Sequence, residues 1–117
     1  MNKILKHNGV EITVNWQASK TRKKIVEIFD KAEKECKKIT EKVGFSGSID
    51  EMEQVEGVYR NAFEELFGKE KCDKLFPEDT GIDEYFEFID RMIALKDEQD
   101  RALDDYSKKF AALSAAE

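Results

Sequence analysis

The side chains in this sequence that could do chemistry are one histidine, His7, two cysteines, Cys36 and Cys72, and adjacent acid pairs at Glu64-Glu65, Asp83-Glu84 and Asp104-Asp105. A nucleophile needs a base within reach, and the base needs a group that orients it. His7 flanks Asn8-Gly9, which reads as a hairpin turn, so neither a Ser-His nor a Cys-His relay with a local orienting carboxylate is suggested. The cysteines lie far apart, without CxxC spacing or neighbouring histidines, which encodes neither a zinc site nor a disulfide framework. Both read as reduced, small apolar side chains. Adjacent acids on a helix point about 100° apart and cannot converge on one atom, and no Glu-x-x-His occurs to build a di-iron bundle. The stretch EDTGIDE, residues 78–84, resembles a calcium loop only in composition. No register supplies alternating oxygen ligands, a glycine at the sixth position and a glutamate at the twelfth. The glycines of GFSGS and FGKE fit neither GxxxxGK[ST] nor GxGxxG. The expectation is a protein with no catalytic residue, no metal and no cofactor.

Binding is better encoded than chemistry. Residues 1–44 carry eleven Lys and Arg against six Asp and Glu, or +5, whereas residues 45–117 carry nine against twenty, or −11, which together give the chain's −6. The basic end is concentrated in KTRKK, with Lys20, Arg22, Lys23 and Lys24 beside a helix N-terminus, where the macrodipole opposes positive charge. Nucleic acid is not the expected partner, because the chain is acidic and the cluster has no interleaved aromatics beyond Trp16. Contact with the acidic half, in the same chain or in a second copy, suits the cluster better. No segment approaches the apolar run of about 20 residues that a membrane span needs, and MNKILKHNGV lacks a signal-peptide h-region, so the expected location is the cytoplasm.

The elements that must carry these residues follow from periodicity. In ILKHNGVEITVNW, Asn8-Gly9 supplies a two-residue turn, and Val10, Ile12 and Val14 alternate with Glu11, Thr13 and Asn15: a hairpin with one apolar face. From residue 17 the period changes, and Ile25, Phe29, Ala32, Cys36, Ile39 and Val43 form a narrow stripe on a helix that ends at Gly44. After the loop Ser46–Ser48, Ser48 and Glu51 make a capping box. The second helix carries Met52, Val55, Tyr59, Ala62, Phe63, Leu66 and Phe67 up to Gly68, with Gly57 inside it as the mark of a close helix crossing. A short helix with Cys72, Leu75 and Phe76 on one side stops at Pro77. Thr80 with Asp83 gives a second capping box, opening a helix from near Gly81 to beyond Phe110.

The first half of that last helix is apolar over a wide arc through Ile82, Tyr85, Ile89 and Met92, with Phe86, Phe88 and Ile93 added. Lys96 and Gln99 interrupt it, and a narrow stripe of Leu103, Tyr106, Phe110 and Leu113 follows, suited to pairing with another chain. About thirty residues at 1.5 Å each span about 45 Å, too long for a compact domain with a radius of gyration near 13 Å. The expected fold is mainly α: a single domain, 1–117, with a small N-terminal β-hairpin (1–16), three main helices and one short one (17–117), the end of the last projecting. Phe29, Cys36, Tyr59, Phe63, Phe67, Phe76, Phe86 and Ile89 are expected in its core. Lys20, Arg22, Lys23, Lys24, Leu103, Tyr106, Phe110 and Leu113 are expected to bind protein, and the chain to form homo-oligomers.

NGVEITV near the start, FEELFGKEKCDKLF in the centre and FEFIDRMIALKDEQDRALDDYSKKF near the end together resemble a family of small proteins encoded in the tail-gene region of siphophages and prophages of Gram-positive bacteria. The likeness spans nearly the whole chain, except that members of that family end in a basic tail and this chain ends in AALSAAE. The resemblance implies a tail assembly chaperone-like protein in the host cell cytoplasm. Such a protein is not an enzyme; it oligomerises and coats a helical client such as the tape measure protein. The alternative is a small phage-encoded inhibitor that binds a host defence protein.

Overall fold

The computed structural model describes residues 2–41 and 47–115. Strands β1 (Ile4–His7) and β2 (Val10–Thr13) precede helices α1 (Ser19–Thr40), α2 (Ile49–Phe67), α3 (Lys69–Leu75) and α4 (Ile82–Ala115). The fold is mainly α with an N-terminal antiparallel hairpin, as the periodicity predicts. The expected helix end at Val43 and Gly44, and Ser46 of the following loop, lie outside the described residues.

Asn8 and Gly9 both take positive φ, 48° and 75°, the left-handed pair that matches the twist of a two-residue hairpin turn, and His7 faces Val10 across it. Leu5, Ile12 and Val14 point inward and are buried. Two strands alone are marginal in water, and here the helices stabilise them. Asn8 Nδ2 donates to the Leu75 carbonyl at 2.8 Å, and Arg91 Nη2 donates to the Lys6 carbonyl at 2.6 Å.

Helix α2 is the central element and packs on α1, α3 and α4. Ser48 caps it by accepting from the Glu51 N–H at 3.3 Å. Gly68, at φ 85°, ends it and turns the chain directly into α3. Arg60 ties the two helices together by donating to the Phe76 carbonyl and pairing with Asp73 and, at 3.6 Å, with Glu64. Phe63, Phe76 and Phe88 form the centre, all fully buried, with ring centroids 4.7 to 5.4 Å apart.

Four expectations are corrected. Phe86 is 42% exposed, with its ring edge against Tyr59 at 4.9 Å. The side of α4 that meets the body runs Tyr85, Phe88, Met92, Leu95, Gln99, so Phe86 falls on its flank. Phe29, Cys36, Phe67 and Ile89 pack against the core but are only partly buried. Gly57 marks no helix crossing, since a Cβ built there would meet nothing within 4 Å. The box of Thr80 and Asp83 does not form: the buried Thr80 hydroxyl has no hydrogen-bond partner among the described residues, while the Glu84 and Tyr85 N–H groups donate to the Gly81 carbonyl.

Beyond Gln99, α4 carries no buried residue. The molecule is therefore elongated, 63 × 35 × 19 Å with a radius of gyration of 17.7 Å, against about 13 Å for a compact chain of this length. Among the described residues no helix is long and apolar enough to cross a membrane.

Candidate protein-binding surfaces

The basic cluster divides in the fold. Arg22 is engaged within the chain: Nε donates to the Trp16 carbonyl at 2.8 Å, Nη2 pairs with Asp100 at 2.5 Å, and the guanidinium lies 5.9 Å from the centre of the Trp16 ring. Hydrogen bonds from Lys96 and Arg22 hold the Asp100 carboxyl below its ordinary range. Arg22 thus makes the contact with the acidic half that the charge asymmetry suggests. Lys20, Lys23 and Lys24 remain exposed on the first turns of α1.

Gln99, which interrupts the apolar pattern of α4, is fully buried and is where the N-terminal segment is fastened. Its Oε1 accepts from the Trp16 N–H at 2.7 Å, and its Nε2 donates to the carbonyls of Val14 at 2.9 Å and Asn2 at 3.1 Å. Beside it, Trp16 Nε1 donates to the Met92 carbonyl at 3.1 Å, and Gln17 Nε2 to the Gln99 carbonyl at 3.1 Å. These bonds satisfy backbone groups where the hairpin ends, which burial would otherwise leave costly.

One turn beyond Gln99 the predicted pairing stripe begins. Leu103, Tyr106, Phe110 and Leu113 are 38, 47, 71 and 66% exposed, and the Lys109 ammonium lies 5.4 Å from the Tyr106 ring centre. Arg22 meets α4 at Asp100, one turn before this stripe, and among the described residues Lys20, Lys23 and Lys24 form no ion pair with α4.

A second apolar surface escaped sequence reading. Between α1 and α4 runs a groove of about 310 Å³ lined by Trp16, Ile25, Phe29, Ile89 and Met92, with Val26 (53% exposed) and Ile93 (47%) on its lips and Asp30 and Glu33 at its rim. Its signal in the sequence is that Val26 and Ile93 are apolar one position beyond Ile25 and Met92, so each helix is wider on its apolar side than one stripe requires. Two larger hollows, of about 490 and 570 Å³, are lined mainly by charged and polar residues and suit an apolar helix less well.

The groups that could react are restrained. Burial pushes the Cys72 thiol up to about 11 and raises that of Cys36, so both stay protonated near neutral pH, and neither is bridged. His7 rests on the rings of Phe76 and Phe88, at 5.7 and 5.4 Å, with Arg91 Nη1 donating to Nδ1 at 3.3 Å. Burial first, and the Arg91 charge second, lower its pKa from 6.5. Among the described residues no cluster of His, Cys, Asp and Glu could hold a metal ion.

No curated protein and no solved structure matches the chain. The model of a family of unknown function, DUF6673, matches residues 8–116, and over that span, nearly its whole length, the chain belongs to that family.

Proposed function

We propose that this is a non-enzymatic binding protein of the tail assembly chaperone kind, which works in the cytoplasm of a phage-infected or lysogenic host and covers apolar helix on a client such as the tape measure protein. The observation that carries this reading is the α1/α4 groove. Its floor of Trp16, Phe29 and Met92 and its exposed lips, Val26 and Ile93, suit an amphipathic helix laid lengthwise, which anchors side chains at i, i+3 or i+4, and i+7. A tape measure protein is a long helical client that must stay soluble until a tube surrounds it. Masking such a client needs apolar contact and no reaction, which agrees with protonated thiols and a histidine packed on aromatic rings.

Co-expression with the tape measure protein tests the reading. The wild type is expected to keep the client in the soluble fraction and to co-purify with it. A Val26→Glu, Ile93→Glu variant should keep its circular dichroism, because both side chains are exposed, and lose the client. A client equally soluble without the protein, or retained equally by the groove variant, overturns the proposal. Capture of a purified host defence protein in its place would turn the reading towards an inhibitor.

A further inference from the structure

The groove leaves the far end of α4 without a role, and the geometry there is specific. We infer that a second copy of this chain covers the stripe Leu103, Tyr106, Phe110 and Leu113, with the two α4 ends antiparallel about a twofold axis near Lys108. This goes beyond the client reading and stands whether or not the client is a tape measure protein.

The direction of the stripe favours an antiparallel partner. At about 100° per residue, the mean bearing of Leu103, Tyr106, Phe110 and Leu113 around α4 coincides, to within roughly 10°, with that of the buried Tyr85, Phe88, Met92, Leu95 and Gln99. The exposed stripe therefore continues the side of α4 that faces the body of its own chain. A partner helix on that stripe would lie about 8–10 Å away. If it ran parallel, its own body, on the stripe side of its own α4, would occupy the space filled by the first body, which with the rest of the molecule is 35 × 19 Å across. If it ran antiparallel, its body would lie beyond Ala115 of the first helix, clear of the first body.

The register of the stripe favours it too. The spacings of the stripe, three, four and three, read the same in both directions. An antiparallel copy therefore sets Leu103 against Leu113 and Tyr106 against Phe110 in every layer, an isologous contact that closes on itself. In that register Ala115 of the second copy lies level with Arg101, two residues short of Gln99, where the body begins. The overlap of the described residues, 101–115, covers the projecting segment without entering the body.

Charge favours the same orientation. Residues 97–105 hold five acids and one arginine, net −4, whereas residues 106–115 hold only Lys108 and Lys109, net +2. Parallel pairing would place the acidic segment beside itself. Antiparallel pairing moves the two acidic segments to opposite ends of the overlap, where they do not face each other.

Sedimentation equilibrium of the full chain is expected to give a dimer at micromolar concentration. A Tyr106→Glu, Phe110→Glu variant should associate about a hundredfold more weakly or less, with unchanged circular dichroism, because it buries two unpaired charges per copy. Orientation is read from Leu103→Cys and Leu113→Cys, each in a Cys36→Ala background. Oxidation of the two variants mixed is expected to join one to the other through the introduced thiols, while neither variant alone cross-links comparably. A monomeric wild type, a double variant that dimerises as strongly, or cross-links within each single variant in preference to the mixture would each overturn the inference. The charge variant leaves the α1/α4 groove intact, so a failure here is separable from a failure of client binding.

Discussion

At Gln99 an amide stands where the three-four rhythm of α4 calls for an apolar side chain, and its two polar ends answer three backbone groups of residues 2, 14 and 16. Gln99→Leu fills the space but leaves a buried N–H and two carbonyls unpaired, so a loss of about 2–4 kcal/mol is expected, measured by urea unfolding followed through the buried Trp16. A loss below about 1 kcal/mol would mean that water replaces the amide at little cost. Its role was not legible in the chain, because a lone Gln in a heptad looks the same whether it faces solvent or a strand end 83 residues earlier. His7 gives a pH signature. Its pKa is lowered in the fold from 6.5, by burial and then by Arg91, against the opposing charges of Glu84 and Glu87. The unfolded chain therefore takes the proton first: the stability is fully present above pH 6.5 and is lost as pH falls below it towards the folded value. Asp100 works in a separate, lower window, below 3.8. Urea midpoints measured on either side of pH 6.5 should fall on the acid side for the wild type and stay level for His7→Phe; a level wild type would show that His7 titrates normally.

Among the elements, the existence and type of each helix and of the hairpin follow from spacing, because a two-residue period and a three-four period demand different backbones. Ser48 with Glu51, and the stops at Gly68 and Pro77, were legible for the same local reason. The side each helix turns inward was less so. In α4, with Phe86, Phe88, Ile89, Met92 and Ile93 all apolar, several bearings bury similar areas, and the contact with Phe63 and Phe76 selects the one through Phe88. Gly57 illustrates the limit in α2. A glycine inside a helix reads as a close approach, yet it sits exposed with open space around its Cα. Gly57→Ala should therefore raise stability by about 0.5–1 kcal/mol, seen as a higher thermal midpoint, since alanine lowers the entropy of the unfolded chain and meets no neighbour. A lower midpoint would place an unseen contact at that position.

For the whole molecule, length and stripe width dictated that α4 would outrun its body, and a radius of gyration of 17.7 Å in place of about 13 Å is the result. The charge imbalance between the two halves was equally plain, and one consequence, Arg22 on Asp100, lies within the chain. The sequence by itself determined the mainly α class, the hairpin turn at Asn8-Gly9, the burial of Phe63 and Phe76, and a last helix with a bare apolar end. These depend on near neighbours in the chain, whose spacing sets backbone geometry and solvent preference directly. Only the tertiary structure decided that Gln99 fastens the N-terminal segment, that α1 and α4 leave a groove between Val26 and Ile93, and that the bare stripe continues the buried side of α4. Those relations join residues tens of positions apart or compare bearings along a whole helix, and the packing that settles them exists only once the chain has closed on itself.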